Sequence, residues 1–320
     1  MKRYVLLLII FGLILAGCEN SEQEPQGELD KTGNPEILPT SAPTSTPIVP
    51  TPTPVPCLFA FASGSKEVQN IYVMDGNGGD ARPLNTHDGM DGHVSWSPDG
   101  AQIVFDSRRA EQWDIYIMNT DGTNETQLTF SEKASRHPSF SPDGTQIVYG
   151  QTGDDDKHHL FIMDKDGGNQ RQLTFGGASE YDPVWSPDGS QIVYYSDANW
   201  ASGLFEIFVI DANGGDPQQL TDDAGFDWNC GWLPDGSKIY FVRNSTLVTM
   251  DTDGSNLAPI LEADVSFPSF SPDGSQIAFM VRGDDESTHI FIIDADGSNP
   301  RQFTMIDGSQ WSGSWSPGCK

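Results

Sequence analysis

Five near-copies of one pentapeptide recur along this chain of 320 residues and constrain its fold more than any other feature. Each copy begins with an aromatic residue and ends with Asp-Gly, and a truncated sixth copy lies near the C-terminus. The copies occupy 96–100, 140–144, 185–189, 232–236, 270–274 and 315–318. Their aromatic residues lie 38 to 47 positions apart. Self-similarity at roughly 40–45 residues is typical of the four-stranded blades of a β-propeller.

The residues around each pentapeptide predict the strands of such a blade. An apolar run follows the pentapeptide, for example 103–105, and a second run such as 115–118 comes after a variable stretch. A Gly-containing hexapeptide and a short third run then follow. Together with the residues before the aromatic, these make four β-rich segments per repeat. Ser-Pro-Asp-Gly is itself a tight-turn sequence, because Pro presets one φ and Gly accepts a positive φ.

The two ends of the chain predict how the ring closes. Residues 58–62, 71–74 and 81–84 supply the three outer strands of a first blade that has no inner strand of its own. The segment 311–316 at the far end supplies the missing strand. Such closure removes the open edges of the sheets. We therefore predict an all-β fold, a six-bladed β-propeller of four-stranded antiparallel blades, closed by the C-terminal strand.

The four cysteines divide into separate roles. Cys57 precedes the first outer strand and Cys319 follows the last Ser-Pro-Gly, so the predicted closure places them side by side. We expect a disulfide between them. Cys230 lies two residues before Trp232 in an inner strand, where a small buried thiol fits better than a reactive one. Cys18 belongs to the N-terminal segment.

The N-terminal segment has the pattern of an export signal. A basic start, Met1-Lys2-Arg3, precedes an apolar stretch from Tyr4 to Ala16. This stretch is short for a transmembrane helix. The sequence Leu-Ala-Gly-Cys that ends at Cys18 resembles a bacterial lipoprotein box. The resemblance implies a signal peptide over 1–17, cleavage before Cys18 and lipidation of that residue.

The following segment, 18–56, is predicted to be a disordered tether. It is acidic at first and then rich in Pro and Thr, and neither composition can bury a core. Residues 57–320 would form the propeller. We expect an extracytoplasmic monomer, lipid-anchored at the outer face of the cytoplasmic membrane or in the periplasm.

The charge of the chain limits its partners. With 17 basic and 46 acidic side chains, the formal net charge is −29. Phosphate backbones repel such a surface, so we expect no nucleic-acid partner. Adsorption on anionic lipid is disfavoured for the same reason, which leaves the anchor as the only membrane contact. The charge itself favours solubility of an exported domain.

Many acidic residues fall in the hexapeptides between the third and fourth strands of each repeat. Asp or Asn at the first, third and sixth places, as in 164–169, superficially resembles a calcium loop. An EF-hand would need a further oxygen ligand at the fifth position and a Glu at the twelfth. Because Asp-Gly and Asn-Gly are also strong hairpin signals, we interpret these segments as hairpin turns.

The repeated unit, followed by Ile-Tyr-Ile-Met-Asp-x-Asp-Gly and Gln-Leu-Thr, resembles the WD40-like (PD40) repeats of the TolB propeller family. The similarity covers 58–318. This chain differs from that family because it carries a lipobox and a tether where TolB has an N-terminal domain. The resemblance implies a propeller that binds partners in the cell envelope. Similar propellers precede the hydrolase domain of prolyl oligopeptidase-type peptidases, and others act as oligogalacturonate lyases.

The candidate site lies on the face opposite the Ser-Pro-Asp-Gly turns, where the loops vary: 107–113, 151–159, 197–203 and 283–288. Variable loops on a regular scaffold commonly carry binding residues. Because side chains alternate along a strand, the residue three before each aromatic should face the axis near this channel mouth. Those residues are His93, His137, Asp182, Asn229, Phe267 and Ser312. Their flanking neighbours are Arg136, Tyr181, Trp228 and Trp311.

Two function classes remain open. The first is a binding or scaffold module for a protein, peptide or glycan, with His93, Arg136, His137, Tyr181, Asp182, Trp228, Asn229 and Trp311 as ligand-binding residues and no cofactor. The second is a propeller enzyme, a metal-assisted polysaccharide lyase or hydrolase, with a divalent metal held by two His and an Asp from three consecutive blades. The chain contains no G-x-S-x-G and no H-E-x-x-H motif, and we name no catalytic residue, so binding is the favoured interpretation.

Overall fold

The computed structural model describes residues 55–109, 111–198, 203–283 and 286–319, which form β-strands and turns but no helix. It follows that no helix in these ranges is long and apolar enough to cross a membrane. The predicted signal peptide, Cys18 and the tether up to residue 54 lie outside the described residues, as do parts of three variable loops.

Four sheets contain four antiparallel strands each and follow one another along the chain. The first holds β8 Ser135–Phe140, β9 Gln146–Thr152, β10 His158–Asp164 and β11 Arg171–Gln172. The second holds β12 Glu180–Trp185, β13 Gln191–Ser196, β14 Glu206–Asp211 and β15 Gln218–Gln219. The third holds β16 Asp227–Trp232, β17 Lys238–Arg243, β18 Thr246–Asp251 and β19 Ala258–Glu262. The fourth holds β20 Ser266–Phe270, β21 Gln276–Arg282, β22 Thr288–Asp294 and β23 Arg301–Gln302.

The remaining eight strands form one sheet. They are β1 Leu58–Gly64, β2 Gln69–Asp75, β3 Arg82–Pro83, β4 Met90–Trp96, β5 Gln102–Arg108, β6 Trp113–Asn119, β7 Thr126–Gln127 and β24 Ser309–Trp315. Pairing is antiparallel throughout this sheet except for one parallel pair, Gln69 with Met90, which joins β2 to β4. The chain is therefore an all-β propeller with four-stranded antiparallel blades, and the strand pairing alone does not divide this sheet into two blades.

The predicted closure of the ring is present. Strand β24 pairs antiparallel with β1, from Phe59 opposite Trp315 to Gly64 opposite Ser309. Beside this pair, Cys57 and Cys319 are joined by a disulfide, which confirms the pairing predicted from their positions. Cys230 is a free, buried thiol, also as predicted.

The core lies between the sheets rather than within one layer. On β5, Ile103 and Phe105 pack with Val73 of the preceding strands, whereas Val104 packs with Ile147 of the following sheet. All three β5 side chains are fully buried. Because both faces of each middle strand are covered, these strands are continuous apolar runs instead of alternating ones.

The first residue of the pentapeptide also links neighbouring inner strands. The indole N–H of Trp96 donates to the carbonyl of Ser314 at 3.0 Å, and that of Trp232 donates to the carbonyl of Val184 at 3.2 Å. In the turn that follows, Gly100 donates to the carbonyl of Ser97 at 2.8 Å and has a φ of 69°. A side chain is disfavoured at such a φ, which explains the recurring Gly.

The hexapeptides form hairpin turns, as predicted. Their acids accept hydrogen bonds from the same turn. For example, Asp164 accepts from the amide of Asn169 at 2.6 Å and Asp166 accepts from the N–H of Gly168 at 2.9 Å. These carboxylates thus hold the turn itself.

Candidate functional site

The inner strands share one unusual conformation at the positions predicted to face the axis. All of these residues have φ between 24° and 56°, in the left-handed region. They are His93, His137, Asp182, Asn229, Phe267 and Ser312. In each strand the pairing with its neighbour skips this residue, so each lies in a β-bulge. Bulges re-aim side chains and are frequent beside functional sites.

These bulges bring all of the predicted axial residues to one cavity of about 210 Å³. The predicted axial positions thus share one cavity, but the reason given for their direction was incomplete. Simple alternation does not by itself turn these side chains to the axis, since the extra residue of the bulge changes the direction of the strand. Left-handed conformations at non-glycine residues are costly and persist where surrounding contacts hold them.

Hydrogen bonds between neighbouring strands hold this conformation. The N–H of His93 donates to Oγ of Ser312 at 3.0 Å, and the N–H of Phe267 donates to Oδ1 of Asn229 at 3.1 Å. The N–H of His137 donates to Oδ2 of Asp106 at 3.0 Å. Two of these bonds join different sheets, and the bond from His93 to Ser312 joins two strands of the eight-stranded sheet. The six positive-φ residues, which we call the axial ring, are therefore tied to neighbouring strands by hydrogen bonds.

Asp106 on β5 is fully buried and lies at the centre of the charged part of this ring. Its Oδ2 is 2.9 Å from Nδ1 of His93 and 3.7 Å from Nε of Arg136. Burial by itself raises the pKa of a carboxyl group. Here the positive potential of His93, Arg136 and His137 and the hydrogen bond from the His93 side chain outweigh burial and hold the pKa of Asp106 well below its usual range.

A second carboxylate, Asp182, contacts Nδ1 of His137 and accepts a 2.9 Å hydrogen bond from the amide of Asn229. Burial opposes its ionisation, but these partners lower the pKa of Asp182 to about 2. The pKa of His137 is lowered by burial and then by the nearby His93 and Arg136, against the pull of Asp182. Burial thus favours the neutral form of His137, whereas the contacts of Asp182 favour its ionised form.

One group among the described residues has the geometry of a metal site. Ligand atoms of His93, Asp106 and His137 all lie within 4.8 Å of one another. Two imidazoles and a carboxylate suit borderline divalent cations such as Zn²⁺ or Mn²⁺. The carboxylate differs from the expected one, because Asp106 replaces Asp182. Arg136 lies close to the same carboxylate and opposes a further positive charge.

Beside the axial ring lies a wider cleft of about 390 Å³, which we call the mouth cleft. It is lined mainly by Met90, Trp113, Phe267 and Trp311, together with the cations Lys66 and Arg136. His93, Phe267 and Ser312 line both the mouth cleft and the axial cavity, so the axial ring separates the two.

The remaining predicted residues lie in packed positions. Tyr181 stacks on Tyr195 with ring centroids 5.3 Å apart, and it contacts Phe205 edge to face at 5.6 Å. Trp228 packs edge to face on Phe267 at 6.0 Å. Neither lines the cavity or the cleft. Their predicted role in ligand binding stays a prediction.

Several residues of the site were not selected from the sequence, among them Met90 and Lys66 of the mouth cleft, Asp106 and Trp113. Asp106 interrupts an apolar run at a position where the other repeats have Gly150, Tyr195, Val242 and Met280, and this lone charge was the available signal. Trp113 begins β6 directly after a variable loop and faces the mouth cleft. The opposite face has clefts of its own, of about 500 and 420 Å³, lined by residues of the Ser-Pro-Asp-Gly turns such as Pro187 and Pro272.

Comparison with known proteins supports the architecture. Residues 46–204 match the model of the TolB beta propeller domain, PD40. TolB from Acinetobacter baumannii has 20% sequence identity over 82% of this chain and 67% of its own, with a TM-score of 0.70. The putative TolB from Agrobacterium tumefaciens has 19% identity over 80% of this chain and 91% of its own, with a TM-score of 0.63. These identities show a shared fold.

A similar fold also occurs in a solved structure that is not a TolB protein. Hydrazine synthase from Kuenenia stuttgartiensis has 16% identity over 82% of this chain and 47% of its own, with a TM-score of 0.70. No curated protein sequence matches the chain. The similarity to the TolB propeller family inferred from the repeats is confirmed.

Proposed function

We propose that the protein is a membrane-tethered, extracytoplasmic binding or scaffold module, because residues 46–204 match the TolB propeller domain and the described residues have that fold. Its ligand is a protein, peptide or glycan that binds at the mouth cleft. The observation that carries this proposal is the cleft itself, in which Trp113, Phe267 and Trp311 lie beside Arg136. Aromatic and Arg side chains in a concave site are typical of ligand recognition.

The propeller is inferred to have six blades. We divide the eight-stranded sheet into two four-stranded units, β24-β1-β2-β3 and β4-β5-β6-β7, because Gln69–Met90 is the single strand pair between them in the described residues. Each unit also has its own bulged inner strand, at Ser312 and at His93. Together with the other four sheets, this gives six units around the axial ring.

The domain limits follow from the sequence. Residues 1–17 serve as a lipoprotein signal peptide, 18–56 as the tether and 57–320 as the propeller. Lipidation at Cys18 provides the only membrane contact and fixes an extracytoplasmic, lipid-anchored location in the envelope. The net charge of −29 supports an envelope partner other than nucleic acid, and the protein acts as a monomer.

The second candidate function is a metal-assisted lyase or hydrolase. The specific observation in its favour is the group of His93, Asp106 and His137. A divalent metal there would act as a Lewis acid. Thermal unfolding after EDTA treatment, with and without added Zn²⁺ or Mn²⁺, tests the site. A rise in Tm that is lost in His93→Ala supports it, and identical Tm values under all conditions exclude it.

The binding proposal is tested by exposing the full chain to a peptide array and to a glycan array. We expect reproducible binders on one array, which also identifies the ligand class. A chain that is folded, as judged by its thermal unfolding, and binds nothing on either array contradicts the proposal.

A further inference from the structure

Arg136 is held in one place while its outer nitrogens stay free. Its guanidinium carbon lies 4.1 Å from the ring centroid of Trp113, in a cation–π arrangement. Its Nε is buried without a hydrogen-bond partner and 3.7 Å from Oδ2 of Asp106. Among the described residues, no acceptor forms a hydrogen bond with this guanidinium. Stacking fixes the plane of the group, so its free N–H donors are already oriented for a planar anion.

The acids near the cleft already have hydrogen-bond partners of their own. Asp106 already accepts hydrogen bonds from Nδ1 of His93 and from the N–H of His137 on the same oxygen. Asp91 is the one acidic residue lining the cleft among the described residues, and its buried carboxylate is bonded by His87 and Asn85. The second cation, Lys66, is exposed at the cleft, and its Nζ lies 3.8 Å from Oε2 of Glu286, which is also exposed. A solvent-exposed pair of this kind is weak, so the ammonium stays available to a ligand. In a chain of net charge −29, a cleft that presents two cations is a local exception that favours an anionic ligand.

The rest of the lining is mainly apolar, with Gln69, His93 and Ser312 as its polar members. Met90, Trp113, Phe267 and Trp311 offer surface for an apolar group but few hydrogen-bonding partners. A glycan would bury hydroxyl groups there without partners, which is costly. A ligand with an apolar amino-acid side chain next to a carboxylate would match both the apolar lining and the cations of the cleft.

Resting on the binding function proposed above, we propose that the mouth cleft captures the C-terminal carboxylate of a polypeptide whose last side chain is apolar. The outer nitrogens of Arg136 donate to the two carboxylate oxygens, and Lys66 contributes positive potential. The last side chain packs against Met90, Trp113 and Trp311. Charge-assisted, bidentate hydrogen bonds give this recognition its dependence on a free terminus.

The test uses the full chain and N-acetylated pentapeptides that end in Leu, Phe or Ala, each made as the free acid and as the amide. Titration calorimetry gives the affinities. We expect the free acids ending in Leu or Phe to bind about tenfold or more tightly than their amides, from the strength of charge-assisted hydrogen bonds. Peptides ending in Ala should bind more weakly than those ending in Leu.

Variants locate the effect. Arg136→Gln should reduce the affinity for free acids to that for amides, and Trp311→Ala should reduce the preference for Leu over Ala. Arg301→Gln removes the same charge from an exposed strand outside the cleft and should change neither. Thermal unfolding of each variant establishes that it is folded.

The outcomes separate this inference from the function on which it rests. Carboxylate capture is overturned if the free acids bind no more tightly than their amides. It is also overturned if amides that carry an internal Glu bind as tightly as the free acids. Either result leaves peptide binding intact. Binding of no peptide at all overturns the inference together with the peptide form of the proposed function. Unchanged selectivity in a folded Arg136→Gln variant overturns the role of Arg136.

Discussion

The main-chain N–H of His137 donates to the buried carboxylate of Asp106 across the boundary between two sheets, with the donor and Oδ2 3.0 Å apart. The bond satisfies a backbone donor that the β-bulge removes from the strand ladder. It also keeps His137 in its left-handed conformation, with φ at 56°. The shape of the axial ring thus depends on a side chain from the neighbouring sheet.

Replacing Asp106 should therefore destabilise the whole propeller. Asp106→Ala leaves the N–H of His137 and the charge of Arg136 without their partner. We expect a loss of about 3 kcal/mol or more in the free energy of unfolding, the usual cost of breaking a buried charged pair. Urea unfolding measures it. Asp80→Ala, at an exposed turn position, is the control. Equal stability of the two variants would show that Asp106 is not structural.

The buried carboxyl of Glu206 predicts that stability falls as the pH rises towards neutrality. Burial raises the pKa of Glu206 to about 7, and the carboxylates of Asp227 and Asp223 add to this, against a hydrogen bond from Thr221. A folded-state pKa above the unfolded value of about 4.5 means that the folded state holds the proton more tightly. The contribution is complete below pH 4.5 and is lost as the pH rises through 7.

Glu206→Gln should remove this contribution, which amounts to at most about 3 kcal/mol. Unfolding free energies measured between pH 4.5 and 8 should decline less steeply for the variant than for the wild type. Some decline should remain, because burial also raises the pKa of Glu180 to about 7. Parallel curves for the two proteins would contradict the assignment.

The disulfide at the closure should contribute to stability without being needed for the fold. It joins positions 262 apart in the sequence, so chain entropy sets a ceiling of about 5 kcal/mol. We expect the Cys57→Ser/Cys319→Ser variant to unfold at lower denaturant concentration and to be insensitive to dithiothreitol. Peptide mapping without reduction should yield one linked pair in the wild type. A linked peptide containing Cys230 would contradict the strand register.

Lipidation at Cys18 is tested in a bacterial host grown with radiolabelled palmitate. The wild type should take up label and sediment with membranes, because acylation anchors the chain. Cys18→Ser should do neither. A soluble, unlabelled wild type, or an unchanged variant, would refute the anchor.

The sequence was sufficient for the parts of the molecule that repeat. The spacing from Trp96 to Phe140 and onwards predicted the blades, and counting three residues back from each aromatic selected every residue of the axial ring. Local turn chemistry repeats with the blade, so its effect can be read from any copy.

The mouth cleft was less accessible to sequence reasoning. Trp113, Arg136 and Trp311 meet from three separate strands, β6, β8 and β24, and nothing in their local sequence reports that contact. Asp106 was missed because it acts on His137 of the next sheet. Tyr181 and Trp228 were selected as neighbours of axial residues, but the bulges place them in aromatic packing instead.

The central claim is that function lies at the mouth cleft and not on the face of the tight turns. The most direct measurement compares the affinity for the best ligand from the arrays in three proteins: the wild type, Arg136→Gln/Trp311→Ala at the mouth cleft, and Asp235→Asn/Asp273→Asn at the opposite clefts. We predict that Arg136→Gln/Trp311→Ala lowers the affinity by about tenfold or more, because it removes an aromatic and an Arg contact. The substitutions at the opposite clefts should leave the affinity unchanged. Full affinity in a folded mouth-cleft variant, or a loss confined to the turn-face variant, would contradict the account.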